Sequence, residues 1–171
     1  MLKLDLGRLG REGSVLVEAL VPPDDALWGG DDLGWKGPVE VRLRVSSAGS
    51  GEIIGRGSVK GTLDQVCRRC LEPVSTEFAR ELTLVFVDHD SGDEEEFENA
   101  GAFVLERGAG QLDLGKAVRE EVLLAMNPYV VCDPECPGLC PECGADLKDG
   151  DCGCTRVESD ARWDALRELK G

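Results

Sequence analysis

The chain has 171 residues, a hydrophobic content of 42% and 34 acidic against 19 basic side chains, giving a net charge of −15. That apolar content permits a core, as one domain or as a core domain with a small appendage, and no run of about 18 apolar residues predicts a membrane-spanning helix. The charge excludes a general nucleic-acid coat, because phosphate repels such a surface unless basic groups gather on one local face.

The opening stretch MLKLDLGRLGREG lacks an uninterrupted apolar segment and a cleavage site, which predicts a mature chain in a reducing, cytoplasmic setting. Ser14–Leu20 alternates Val15, Val17 and Ala19 with other residues, as a strand does. Val39–Val45 alternates more strictly, with Val39, Val41, Leu43 and Val45 on one face and Glu40, Arg42 and Arg44 on the other. Ile53–Val66 predicts one or two further strands interrupted at Gly55, Gly57 and Gly61, and Phe78–Val87 another that aims Leu82, Leu84 and Phe86 one way. The stretch Trp28–Pro38 reads as a loop whose two tryptophans pack.

Asp88–Glu98 holds seven acidic groups and no basic one, and reads as a mobile loop. Asp113–Met126 is the strongest helix pattern. Asp113 is placed to cap it, Leu114, Val118, Val122 and Ala125 form a stripe, and Pro128 stops it. Ser159–Lys170 predicts a short terminal helix with Trp163, Leu166 and Leu169 on one side. The fold class expected is α+β: an antiparallel β-sheet or partly closed barrel with one packed helix, a C-terminal zinc knuckle and a short terminal helix. Residues 1–131 would form the core domain, and residues 132–171 a cysteine-rich segment plus terminal helix packed upon it.

Eight cysteines decide the chemistry. Six lie at Cys132, Cys136, Cys140, Cys143, Cys152 and Cys154, and two more form Cys67-Arg-Arg-Cys70. A Cys-x2-Cys turn aims two thiolates at one tetrahedral ion about 2.3 Å from each sulfur. The segment Cys132–Cys154 is too rich in Gly, Pro and Asp to bury a core of its own, so it needs a metal. The pairing with the shortest loop closure places Cys140, Cys143, Cys152 and Cys154 around one zinc and Cys67, Cys70, Cys132 and Cys136 around another. The second site would tie a hairpin tip to the segment after the long helix. The alternative groups Cys132, Cys136, Cys140 and Cys143, leaving Cys67, Cys70, Cys152 and Cys154. Two structural zinc ions are expected either way. Four-cysteine sites leave no open coordination position, which argues against metal catalysis.

Three segments carry a family resemblance: Val66–Val74 (VCRRCLEPV), Asp113–Pro128 (DLGKAVREEVLLAMNP), and the tail from Cys136 through CPECG and Cys152-Gly-Cys154 to Asp160–Leu166. Together they resemble the YceD family of bacteria and plastids over most of residues 55–171. The resemblance implies a non-enzymatic factor in large-subunit ribosome biogenesis, supporting synthesis, processing or stability of 23S ribosomal RNA. The implied partner is 23S rRNA or its precursor in assembling large subunits. It implies no catalytic residues. One departure is Ala161 after Asp160, where relatives often have Pro.

The residues themselves offer two interfaces. Arg42, Arg44, Arg56 and Lys60, with Arg68 and Arg69 at the hairpin tip, would form a basic strip suited to phosphate. Alternatively Asp93, Glu94, Glu95, Glu96 and Glu98 would serve an acidic adaptor or chaperone for a basic ribosomal protein. The lone histidine, His89, lies in that acidic run, and no nucleophile elbow, phosphate loop or small-molecule site is present.

Overall fold

The computed structural model describes residues 2–30, 32–49, 51–88, 101–105 and 108–154. Of the acidic run, Asp88 is the last residue of a strand, and the rest of it, with His89, and the predicted helix Ser159–Lys170 lie outside the described residues. The chain divides into two compact units. One comprises Met1–Gln65 and Ser75–Pro128, the other Val66–Val74 and the chain from Tyr129 onward. The Cys67 hairpin tip therefore groups with the cysteine-rich segment, not with residues 1–131.

In chain order, β1 (Lys3–Asp5) runs into α1 (Leu6–Glu12), followed by β2 (Ser14–Val21), β3 (Val39–Ser47), β4 (Ile53–Val66) and β5 (Pro73–Asp88), the facing ends of β4 and β5 belonging to the second unit. Then come β6 (Phe103–Leu105), β7 (Gln111–Asp113) and α2 (Gly115–Ala125). Five strands form one sheet in the order β2-β3-β4-β5-β6, and β1 pairs with β7 in a two-stranded ribbon. Two sequence expectations are corrected here. The larger sheet is mixed, because β6 runs parallel to β5 with Phe86 opposite Phe103. It is also open among the described residues, ending at β2 and β6, so no barrel closes.

The strict alternation of β3 is what builds the core. Val39, Val41, Leu43 and Val45 are fully buried, while Glu40, Arg42 and Arg44 between them are exposed. Burying a side chain of that size contributes about 1.5–3 kcal/mol. Leu114 just before α2, Ala117, Val118 and Val122 within it, Leu9 of α1 and the two tryptophans complete the same cluster. Trp28 and Trp35 pack with ring centroids 5.4 Å apart, and Trp28 Nε1 donates to the Pro22 carbonyl at 2.9 Å.

The glycines of β4 do not break it. The strand is continuous over 14 residues. A Cβ on Gly57 would stand 1.8 Å from the Arg42 carbonyl oxygen, and one on Gly61 2.8 Å from the Trp35 ring. Glycine is required there by close approach, not by a turn. The helix α2 starts two residues later than its pattern suggests, and the N-cap position falls on Leu114, which makes no side-chain cap bond, not on Asp113 as expected. The Asp113 carboxylate instead accepts from the Gly115 N–H at 2.8 Å, two residues on.

The helix α1 is not expected from the sequence, which predicts one packed helix in this unit. Asp5 caps it by accepting from the Arg8 N–H, and Gly13 ends it at φ 71°. Its glycines, Gly7 and Gly10, weaken the helical signal in the sequence, and the buried Leu9 supplies the tertiary contact that overrides them.

Candidate metal centres

The second unit is organised by two Cys-x2-Cys turns with matching backbone hydrogen bonds. At the first, the Leu71 N–H donates to the Cys67 carbonyl at 2.8 Å and the Cys67 N–H to the Glu72 carbonyl at 2.8 Å. At the second, the Gly144 N–H donates to the Cys140 carbonyl at 2.9 Å and the Cys140 N–H to the Ala145 carbonyl at 2.8 Å. Both turns need a left-handed residue just after the second cysteine. Gly144 adopts it at φ 73°, Leu71 at φ 64°. Only glycine takes that conformation without strain.

These turns bring the thiols into two groups. The sulfurs of Cys67, Cys70, Cys132 and Cys136 all lie within 4.8 Å of one another, and so do those of Cys140, Cys143, Cys152 and Cys154. Within the first group, Cys67 and Cys136 are 3.9 Å apart and Cys70 and Cys132 3.6 Å. A single ion with four sulfurs at about 2.3 Å has tetrahedron edges of about 3.8 Å. The spacing fits one ion, and it is far too long for a disulfide, near 2.05 Å. It is also close-set for an iron–sulfur cluster, whose cysteines attach to different iron atoms.

Protonation follows the same logic. Burial alone would raise Cys67, but the amides of Cys70, Cys132 and Arg69 bring it down to about 6. The amides of Cys143 and Glu142 bring Cys140 to about 6 as well. Burial, then the neighbouring thiols, push Cys136 up to about 12, and the Cys143 and Cys152 sulfurs do the same to Cys154. Each group thus has one sulfur ready to ionise, while Cys136 in the first and Cys152 and Cys154 in the second are shifted towards holding their protons. A dication removes the remaining protons and takes their place.

Other residues of this unit support the first group. Cys67, Cys70 and Cys136 are buried in a small cluster with Val74, Val131 and Leu139. The Arg69 guanidinium donates to the carbonyls of Pro134 at 3.0 Å and Cys136 at 2.9 Å. Arg69 therefore clamps the turn around Cys136 while remaining exposed. Arg68 instead lies over the Tyr129 ring, 4.5 Å from its centroid, with Tyr129 63% exposed. Sequence reasoning missed Lys148. Its ammonium stands against the Cys70 and Cys132 sulfurs, which hold it well above the ordinary lysine range.

The remaining basic candidates share the outer face of the sheet in the first unit. Register places Leu16, Arg44 and Arg56 in one row across β2, β3 and β4, Glu18, Arg42 and Ser58 in the next, and Leu20, Glu40 and Lys60 in the third. Arg42 is engaged, its guanidinium 2.5 Å from Glu18 and 3.9 Å from Glu40. Arg44 and Arg56 face one another directly and take part in none of the ion pairs found among the described residues.

Residues 55–170 match the model of a family described as large ribosomal RNA subunit accumulation protein YceD. The chain belongs to the YceD family. An uncharacterised protein of Mycobacterium tuberculosis is 34% identical over 135 residues, covering 78% of this chain and 62% of the relative. An uncharacterised protein of Mycobacterium leprae is 28% identical over 116 residues, covering 67% of this chain and 52% of that protein. A chloroplastic protein of Arabidopsis thaliana, named large ribosomal RNA subunit accumulation protein YCED homolog 1, is 35% identical over 60 residues, covering 35% of this chain and 19% of the plant protein. The chain thus spans less than two thirds of the length of these relatives. No solved structure matches it. No helix among the described residues is long and apolar enough to cross a membrane.

Proposed function

We propose that this protein is a non-enzymatic, cytoplasmic factor that supports accumulation of 23S ribosomal RNA by binding it or its precursor in assembling large subunits. Two structural zinc ions would hold its cysteine-rich unit, Cys67, Cys70, Cys132 and Cys136 around one and Cys140, Cys143, Cys152 and Cys154 around the other. Zinc is the choice because four thiolates in a closed tetrahedron suit it and leave no position for substrate. The family description and the name of the plant relative support the ribosomal RNA reading.

The observation that carries the RNA contact is Arg44 opposite Arg56. Like charges directly across two strands destabilise a sheet, and here no carboxylate among the ion pairs of the described residues relieves them. In a chain of net charge −15, carboxylates are abundant, so two guanidiniums outside every ion pair found among the described residues are the groups best placed for an outside anion. Lys60, two rows away and facing Glu40, is a further candidate on the same face, and Arg68, over Tyr129, is a separate candidate in the other unit.

Crosslinking in cells, followed by RNA sequencing and mass spectrometry of what is captured, tests this reading. Enrichment of 23S rRNA or its precursor is expected. Capture of a basic ribosomal protein without rRNA would instead favour the acidic adaptor built on Asp93, Glu94, Glu95, Glu96 and Glu98. Enrichment of neither would sink both.

A further inference from the structure

Lys148 is the single basic residue between Cys132 and Cys154. It sits on the loop from Cys143 to Cys152, which the second thiol group closes, among Glu142, Asp146, Asp149 and Asp151. Its ammonium nevertheless stands against Cys70 and Cys132, two sulfurs of the first group.

Backbone geometry accounts for that reach. Three residues separate Cys136, the last sulfur of the first group, from Cys140, the first of the second. Of these, Leu139 donates its N–H to the Arg69 carbonyl at 3.0 Å, so the connection is bonded to the middle of the Cys67–Cys70 turn. Gly138 lies so close that a Cβ there would stand 2.9 Å from the same Arg69 carbonyl, and it is left-handed at φ 78°. The far side of the Cys143–Cys152 loop returns to this connection: Leu139 forms a β-bridge with Asp146, and the Leu147 N–H donates to the Gly138 carbonyl at 3.0 Å. The Asp146 carboxylate fixes the next step by accepting from the Lys148 N–H at 2.9 Å. Residues 145–148 are thereby laid alongside the first thiol group by the same fold that closes the second.

Charge gives the placement its consequence. Four thiolates around a dication leave a centre of about −2, and an outer cation beside coordinating sulfur stabilises the charged, metal-bound form. We propose that Lys148 is an outer-sphere cation of the Cys67–Cys70–Cys132–Cys136 site, presented by the loop that the Cys140–Cys143–Cys152–Cys154 site closes, so that filling the second site tightens metal at the first. The inference rests on the metal reading above. It makes the two sites an ordered pair: the second organises the loop, and the first receives its counter-charge from that loop.

The test uses the full chain loaded with zinc and titrated with a chromophoric chelator at fixed salt. Lys148→Gln should still take up two zinc ions, with one of them held about 10–100-fold more weakly, the usual effect of losing an outer-shell partner, and Lys148→Arg should restore most of that affinity. Cys152→Ser with Cys154→Ser should leave one zinc, weakened similarly, and adding Lys148→Gln in that background should change little further. Two zinc affinities unchanged by Lys148→Gln would overturn the proposal while leaving the metal reading intact. So would a single remaining zinc, in the Cys152→Ser/Cys154→Ser variant, held as tightly as in the parent. A parent chain that binds no metal at all would instead defeat the reading beneath it.

Discussion

Replacing Arg44 and Arg56 together by Gln separates a functional basic face from a decorative one. The two residues are register partners on β3 and β4, so their Cβ atoms stand about 5 Å apart and their charges a little further. Two like charges about 7 Å apart in water repel by about 0.6 kcal/mol, less once salt screens them. The double variant should therefore be as stable as the parent or more so, by a few tenths of a kcal/mol. Its RNA affinity should fall. Each phosphate contact contributes a salt slope of about 0.9 on duplex or 0.7 on single strands, so losing two lowers the slope by about 1.4–1.8. Extrapolated from 1 M salt, that becomes a loss of about 15–30-fold near 0.15 M. Filter binding to 23S rRNA between about 0.1 and 0.5 M salt, with denaturant melts of both proteins, measures the two quantities together. Stability up and affinity down is the expected pair. An unchanged slope with affinity within about twofold would refute the assignment of phosphate contacts to this row.

The metal reading predicts two zinc ions per chain by elemental analysis, and one after Cys67→Ser with Cys70→Ser; a parent chain with none would contradict it. Because Cys136 and Cys154 keep their protons to about 12 without metal, zinc must displace those protons, so apparent affinity should fall as pH drops from 8 towards 6. A zinc affinity independent of pH over that interval would argue against thiol ligation. Leu71 holds a left-handed conformation that the matching turn gives to glycine, a strain of about 1–2 kcal/mol for an L side chain. Leu71→Gly loses about 0.5–1 kcal/mol of that gain to the greater freedom of the unfolded chain, leaving a net stabilisation of up to about 1.5 kcal/mol by thermal or denaturant melts. A destabilised variant would show that the Leu71 side chain, though 61% exposed, makes a contact that matters.

Much of the sheet could be read from period alone. Val39, Val41, Leu43 and Val45 alternate with charged residues over seven positions, and no other element accommodates that pattern with one face buried. What could not be read depended on neighbours distant in sequence. Gly57 looks like a strand breaker until the Arg42 carbonyl is placed above it, and Gly61 until the Trp35 ring is. The parallel strand β6 is three residues long, too short for any period to register. Arg42 and Arg44 are indistinguishable on one strand. They part company because Glu18 on β2 sits opposite the first and Leu16 opposite the second. In the cysteine-rich unit, spacing indicated which residue types gather, and Gly144 marked its turn. Leu71 gave no such mark, and Lys148 resembles any solvated lysine in an Asp- and Gly-rich loop.

The same charges that make the basic row local also set how it meets RNA. Counted from the formal charge of −15, which leaves every thiol neutral, two zinc centres of about −2 each bring the loaded chain to about −19. At about 10 mM salt the Debye length is about 30 Å, so an approaching phosphate chain feels that whole charge and is repelled. At about 0.1 M it shrinks to about 10 Å, and the same chain senses mainly Arg44, Arg56 and Lys60 once it is near their face. Above that, counterion competition at the phosphates takes over and binding weakens. Affinity should therefore pass through a maximum near physiological ionic strength instead of falling steadily from low salt, as it does for a basic protein. Titrations of 23S rRNA from about 10 mM to 0.5 M salt would show it. A monotonic decline from the lowest salt would mean that the RNA-facing surface is far more basic than one row of a sheet, and that the rest of the binding face lies elsewhere in the chain.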